Sequence, residues 1–274
     1  MTCKSCGNTH QENFCPECGE KAFDNSRLSF TQFMEETFDG FIHFDNKFFV
    51  TFRTLITRPG LLSLDYTEGR LVKYMKPIQF FFIANLLFFF FTIGNIYNNP
   101  LQNYISAKPY TNYHTKEIVQ NKLEKTKLSF VEYEQSFDER IAYNSKEFIF
   151  VFIPFYGLVF FGLFFWTKRF FMEHMVFATH FLSFVLLLVL VEFYVISIPF
   201  NLLYKNTQYS QEFGIAYSIF TSLCISVYLF FSIKKFYKPA MAWTVVASLI
   251  VGGSFFTFIQ YYRMLLFFKI LYLN

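Results

Sequence analysis

The stretch from Val176 to Ile198 reads VFATHFLSFVLLLVLVEFYVISI, an apolar run interrupted only by the imidazole of His180, the carboxyl of Glu192 and a few hydroxyls. About 20 helical residues, each rising about 1.5 Å, cross the roughly 30 Å hydrocarbon core of a bilayer. This run is long enough to do so. Four further stretches, Pro77–Ile96, Phe148–Trp166, Phe213–Ile233 and Pro239–Tyr262, carry no charged residue at all. Any one of them could be a buried helix of a soluble domain, but five in a chain of 274 residues leave too little polar surface to cover them. Composition agrees: hydrophobic residues make up 54% of the chain and charged ones only 16%, and the charges are bunched between the apolar runs. The sequence therefore predicts an all-α integral membrane protein, a helical bundle of about five transmembrane helices.

Orientation follows from Lys and Arg close to the ends of the spans, which favour the cytoplasmic side. The N-terminus stays polar for its first two dozen residues and shows no apolar leader, so it is expected inside. The inner flanks then hold Arg70, Lys73 and Lys76, next Lys168 and Arg169, and finally Lys234, Lys235 and Lys238. Lys205 alone marks the outer turn between the third and fourth spans. The outer segment 97–147 has seven Lys and Arg, but it is long and most of them lie far from the span ends, where the bias counts least. Five spans place the C-terminus outside a cell (inner) membrane. The net charge of +4 lacks the basic stripe of a nucleic-acid binder.

The N-terminus carries a different signal. Cys3-Lys4-Ser5-Cys6 and Cys15-Pro16-Glu17-Cys18 are two Cys-x-x-Cys turns, each followed directly by glycine, Gly7 and Gly19. Two such turns can close a tetrahedral four-sulfur site, and the glycines suit the tight backbone that aims amides at sulfur. Zinc is the metal expected at Cys3, Cys6, Cys15 and Cys18; iron in the same cage and a disulfide or redox pair are the alternatives. Four protein ligands leave no open position, so the zinc is read as structural. So short a segment cannot bury a core, and the metal must supply its folding energy. Cys224 reads as a small filler inside the fourth span.

These signals divide the chain into a zinc ribbon at 1–24, cytoplasmic amphipathic helices at 25–76, the bundle at 77–262 and an interfacial tail at 263–274 that can also extend the last helix. In the amphipathic part, Ser29 and Gln32 form a capping box ahead of Phe30, Phe33, Met34, Phe38 and Phe41 at helical spacing. A second helix sets Phe48, Phe49, Phe52, Leu55 and Ile56 on one stripe and stops at Arg58-Pro59-Gly60. Either stripe can lie on the bilayer or pack on the spans; the acids Glu35, Glu36 and Asp39 favour packing for the first. The stretch Lys116–Lys146 reads as one or two exposed helices.

Two groups of side chains are candidates for function. Arg70, Lys73, Tyr74 and Lys76, at the entrance of the first span, can grip a lipid headgroup phosphate or merely anchor the span. Glu173, His174, His180 and Glu192 lie on or near the third span, where ionisable groups are costly. Glu173 and His180 share a helix face but sit about 10 Å apart along it. His174 and His180 point to different sides, which is not the His-x-x-x-His arrangement of zinc peptidases. The structural alternative is hydrogen bonding by His180 to a neighbouring helix and an ion pair of Glu173 with Lys168 or Arg169. Gly252-Gly253 reads as a point of close helix packing.

The paired cysteine knuckles, Thr54-Leu55 with Arg58-Pro59-Gly60, Gly69-Arg70 with Tyr74 and Pro77, and Glu173-His174 with Phe177-Ala178 and His180 together resemble the bacterial membrane family called domain of unknown function 3667. The segment 97–147 lies outside the resemblance. The resemblance implies the same plan and no activity. The expected role is therefore that of a non-enzymatic multi-pass membrane protein whose ribbon is a cytoplasmic docking or assembly module, with membrane lipids and a protein at the cytoplasmic face as partners. A membrane enzyme or transporter acting on lipid or a small solute through Glu173, His174, His180 and Glu192 is the alternative. Orientation can be read by cysteine labelling in intact cells. An impermeant reagent is expected to modify a cysteine placed at Ser106 and to spare one placed at Ser26; the reverse pattern would turn the topology over.

Overall fold

The computed structural model describes residues 2–20, 47–92, 99–108, 110–203 and 210–272. The expected capping box at Ser29 and the stripe Phe30–Phe41 lie outside these residues. Among the described residues the regular elements are helices: α1 (Lys47–Thr57), α2 (Leu61–Thr67), α3 (Pro77–Phe91), α4 (Leu101–Ser106), α5 (Thr115–Thr126), α6 (Phe130–Glu147), α7 (Phe152–Phe164), α8 (Phe171–Glu192), α9 (Ile198–Leu203), α10 (Ser210–Phe236) and α11 (Met241–Tyr272). A π-helical turn, Phe193–Ser197, joins α8 to α9. The chain divides into two units, Met1–Phe91 with Val151–Gly253 and Thr92–Phe150 with Ser254–Asn274.

Four helices, Ile149–Thr167, Phe171–Phe200, Glu212–Phe236 and Met241–Tyr272, are long and apolar enough to cross a membrane. The sequence expects five. The remaining one, α3, is a shorter apolar helix that ends at Phe91, and residues 93–96 of the expected span lie outside the described residues. The last helix runs unbroken to Tyr272, so residues 263–272 extend it.

Surface composition in the first unit is that of a protein dissolved in hydrocarbon. On α10, Ile215, Ile219, Leu223, Val227 and Phe231 follow one another at four-residue spacing and are all between 54% and 58% exposed. The opposite face buries Thr221, Ile225, Tyr228, Leu229 and Ile233. A continuous apolar ridge of this length is a liability in water, while in lipid it is the ordinary outer surface. The inner contact between α10 and α11 is close: a Cβ added at Gly252 would lie 2.1 Å from Ser226 Oγ and 3.0 Å from the Ser222 carbonyl oxygen. Gly253 has open space around it, so Gly252 alone makes the expected packing point.

The short helix α2 is buried along most of its length, through Leu62, Ser63, Leu64, Asp65 and Tyr66. It packs against α8, where Tyr66 meets Val176 with Leu71, Ile78 and Met172 around them. Its entrance is set by Gly60, whose φ of +77° is a left-handed conformation that costs glycine little. A side chain there would also strike α10, since an added Cβ would lie 2.4 Å from the Ser232 carbonyl oxygen. The preceding helix departs from the expected stripe. Thr51, Thr54 and Leu55 are buried, while Phe49 and Ile56 are 70% and 45% exposed. Hydrogen bonding decides this choice of face: Thr51 Oγ1 accepts the Met75 amide at 2.9 Å, serving loop backbone that no helix supports.

In the second unit, α4, α5 and α6 gather with the end of α11 around Tyr104 and Phe137. Tyr104 stacks on Phe267 at 4.7 Å and donates a hydrogen bond to the Arg263 carbonyl at 2.9 Å. Lys122 Nζ reaches the Leu271 carbonyl at 2.7 Å, supplying positive charge at the C-terminal end of the helix. The stretch expected to form one or two helices thus forms two.

Gly60→Ala combines a left-handed backbone with a clash against main chain. It is expected to lower the unfolding free energy by at least about 2 kcal/mol, whereas Gly162→Ala, with open space around it, should stay within about 0.5 kcal/mol of the parent. Thermal unfolding in detergent, followed by circular dichroism, reads both.

Candidate functional site

The two cysteine turns fold as copies of one another. Gly7 N–H donates to the Cys3 carbonyl at 2.9 Å, and Gly19 N–H to the Cys15 carbonyl at 2.8 Å. Cys3 N–H donates to the Asn8 carbonyl and Cys15 N–H to the Glu20 carbonyl, at 2.8 and 2.7 Å. Both glycines have positive φ, +80° and +71°, which closes each turn. The four sulfurs lie within 4.8 Å of one another, with Cys3–Cys18 and Cys6–Cys15 at 3.5 Å. Zinc–sulfur bonds of about 2.3 Å in a tetrahedron put sulfurs about 3.8 Å apart. The donor set and its size therefore fit a metal ion.

Electrostatics give the same answer. The Cys6 amide, hydrogen-bonded to the Cys3 sulfur, is the main cause that brings the Cys3 thiol down to about 7. Cys18 behaves oppositely: an amide from Glu20 favours its thiolate, but desolvation and the neighbouring sulfurs push it up to about 12. Four thiols so close cannot all ionise without a cation among them. A metal ion held there would supply that charge.

Glu20, next to the second knuckle, ties the cysteine turns to the first unit. Its Oε2 accepts the Leu71 and Val72 amides, both at 3.1 Å, and the Ser5 hydroxyl. Those amides belong to the loop between α2 and α3, which Asp65 organises from below. Asp65 is buried and accepts from Arg70 Nε and from the Tyr74 hydroxyl, each at 2.9 Å. Arg70 also pairs with Glu68. Burial, then the hydrogen bond to Asp65, raises the Tyr74 phenol above its ordinary value. Of the four residues read as a headgroup grip, Arg70 and Tyr74 are thus engaged inside the protein, while Lys73 remains exposed beside the Tyr74 ring.

Glu173, His174, His180 and Glu192 each meet a different partner. Glu173 accepts from Arg169 at 2.7 Å and from the Phe170 amide at 2.9 Å, capping the start of α8. Arg169 in turn donates to the Phe236 carbonyl at 2.9 Å and covers the Phe236 ring at 4.0 Å. His174 Nδ1 is 2.8 Å from the Tyr237 hydroxyl, with the two rings stacked. His180 Nδ1 is 2.9 Å from Ser63 Oγ on α2. Glu192 Oε2 accepts from Thr221 Oγ1 at 2.7 Å. From Glu173 to Glu192 the helix rises about 28 Å, so the four do not share a site.

The partners Ser63, Tyr237, Thr221, Asp65 and Glu20 carried no signal in the sequence reading. Ser63 is the recoverable one, because it stands between leucines in LLSLDYT, where a buried hydroxyl asks for a partner.

Comparison with known proteins adds one match. Residues 45–89, which hold α1, α2 and most of α3, match the family model described as Protein of unknown function (DUF3667), in agreement with the resemblance drawn from the sequence. Neither the curated proteins nor the solved structures gave a match.

Because the contact of His180 with α2 is a single hydrogen bond in a packed setting, His180→Gln is expected to preserve folding. His180→Leu strands the Ser63 hydroxyl and is expected to cost about 1–3 kcal/mol. Unfolding midpoints of the two variants provide the check, and equal losses would show that the bond to Ser63 contributes nothing.

Proposed function

We propose, on the premise that the chain carries this family's segment, that it is a non-enzymatic five-span membrane protein whose N-terminal zinc ribbon is a docking and assembly module on the cytoplasmic face. The observation that carries the reading is the Glu20 carboxylate bound to the Leu71 and Val72 amides, because it joins the cysteine turns to the segment that packs on the spans. Zinc acts here as a fold-maker: it holds two turns that have no core of their own, and so keeps Glu20 in place. The exposed outer surface of the turns, with Phe14 57% exposed, is the part available to a protein partner.

Support for the fifth span comes from the sequence, which continues without a charge from Phe91 to Ile96, and from the buried side chains of α3, Phe80, Phe81, Ile83, Ala84 and Phe88. The cytoplasmic assignment rests on the gathering of basic residues at the ribbon's end of the first unit. Arg169 sits against Phe236, beside Lys234 and Lys235, and the entrance of α2 touches Ser232. A bacterial inner membrane with the N-terminus inside satisfies that distribution.

The ion pair of Glu173 with Arg169 and the bonds of His174 to Tyr237 and of His180 to Ser63 favour this reading over an enzyme or transporter working through those three, with Nε2 of each histidine buried and unpartnered. Elemental analysis of the purified protein is expected to give one zinc per chain. Cys6→Ser should lose the metal and accelerate hydrogen exchange at Leu71 and Val72, while Cys224→Ala should leave both unchanged. Preparations with neither zinc nor iron, or unchanged exchange at the loop after metal loss, would end the proposal.

A further inference from the structure

One polar group of the spans has no place in the docking role. Glu192 is 3% exposed, at the point where α8 gives way to the π-helical turn Phe193–Ser197. One carboxyl oxygen is bonded to Thr221; the other, Oε1, is buried with no hydrogen-bond partner. Tyr217, one turn before Thr221 on the same face of α10, lies near the carboxyl and near Ser197.

What is missing, among the described residues, is a counter-charge. Stretches 77–91, 152–164, 175–203, 213–233 and 240–262 contain no Lys or Arg and no acid besides Glu192. The titratable groups that face it are Tyr217 and Cys224 of α10, neither of them cationic. Tyr194, next in the π turn, is turned away to the Phe91 carbonyl at 2.8 Å. An ionised carboxylate in such a place, with one oxygen bare, is strongly disfavoured unless a cation comes from outside the protein. Oxygen ligands suit a hard monovalent ion as well as a proton. The π turn adds to this, because one extra residue in a helical turn disturbs the regular ladder and is frequent where helices carry function.

We infer that Glu192, with Thr221, Tyr217 and Ser197, forms an exchangeable site for a monovalent cation, a proton or sodium, within the membrane. Glu192 Oε1 provides the open ligand position, Thr221 holds the carboxyl, and Tyr217 lies near it and near Ser197. Neutralisation by either ion removes the buried charge, and its departure restores it, so the state of the junction between α8 and α9 follows the ion. The site is independent of the ribbon, and its test reads neither zinc nor partner binding.

Infrared difference spectroscopy on the full-length protein in phosphatidylcholine vesicles reads the carboxyl directly. A carboxylic-acid carbonyl band, assigned by its loss in Glu192→Gln, is expected at about pH 5.5 and should fade as pH rises to about 9, since ionisation removes it. Fading with pH alone identifies a proton site. Fading at fixed pH on adding about 100 mM sodium, but not potassium, identifies a sodium site. Should Glu192→Gln fail to insert, the band can be assigned in the parent chain by its loss when a carbodiimide forms an adduct mapped to Glu192. Thr221→Val removes a donor that favours the ionised form, so more of the acid band should remain at a given pH; an unchanged profile would remove Thr221 from the site. A band that persists through the whole range and under sodium would make Glu192 a permanently neutral structural group and overturn the inference. So would its absence at every pH, which would require a cation belonging to the protein itself.

Discussion

Hydrocarbon accepts no hydrogen bonds, and the helix α8 is built around that fact. Its ends and its middle are each fixed by a polar contact to another element: Glu173 to Arg169, His174 to Tyr237, His180 to Ser63 and Glu192 to Thr221. Apolar packing between these points is plentiful but slides easily, because lipid-facing and protein-facing leucines differ little in energy. Polar pairs do not slide. They fix the register of α8 against α2 and α10, and thereby the position of everything attached to those helices.

The same constraint explains why so short a helix as α2 is buried. Seven residues cannot hold a helix by their own hydrogen bonds, so its stability comes from the faces it covers. Gly60 lets it approach the main chain of α10, Tyr66 packs on Val176 of α8, and Asp65 gathers Arg70 and Tyr74 below it. From this point the loop Leu71–Val72 presents two amides outward, and Glu20 takes them. Among the described residues, the cysteine turns are thus joined to this loop through the Glu20 carboxylate.

Two kinds of polar group can be distinguished in the spans. Glu173 and Arg169 neutralise each other, with Arg169 also held by a carbonyl and a ring, which makes a stable structural pair. Glu192 is held by the Thr221 hydroxyl and, among the described residues, meets no cation. Hydroxyls satisfy hydrogen bonding but leave the charge, which is why the two acids on one helix invite different readings.

The sequence by itself determined the helical membrane class and the four-cysteine cluster and offered Lys168 or Arg169 as an ion-pair partner for Glu173, because each rests on local rules: run length, ligand spacing and charges within one or two turns. It also marked Gly60 as a helix end and Gly252 as a packing point. Only the tertiary structure decided which partner each buried polar atom takes. Ser63 and His180 are 117 residues apart, and no periodicity links them. The face of α1 was decided in the same way: the apolar stripe left open whether it lies on the bilayer or packs on the spans, and the structure buries Thr51, Thr54 and Leu55, with Thr51 taking the Met75 amide, and exposes Phe49 and Ile56.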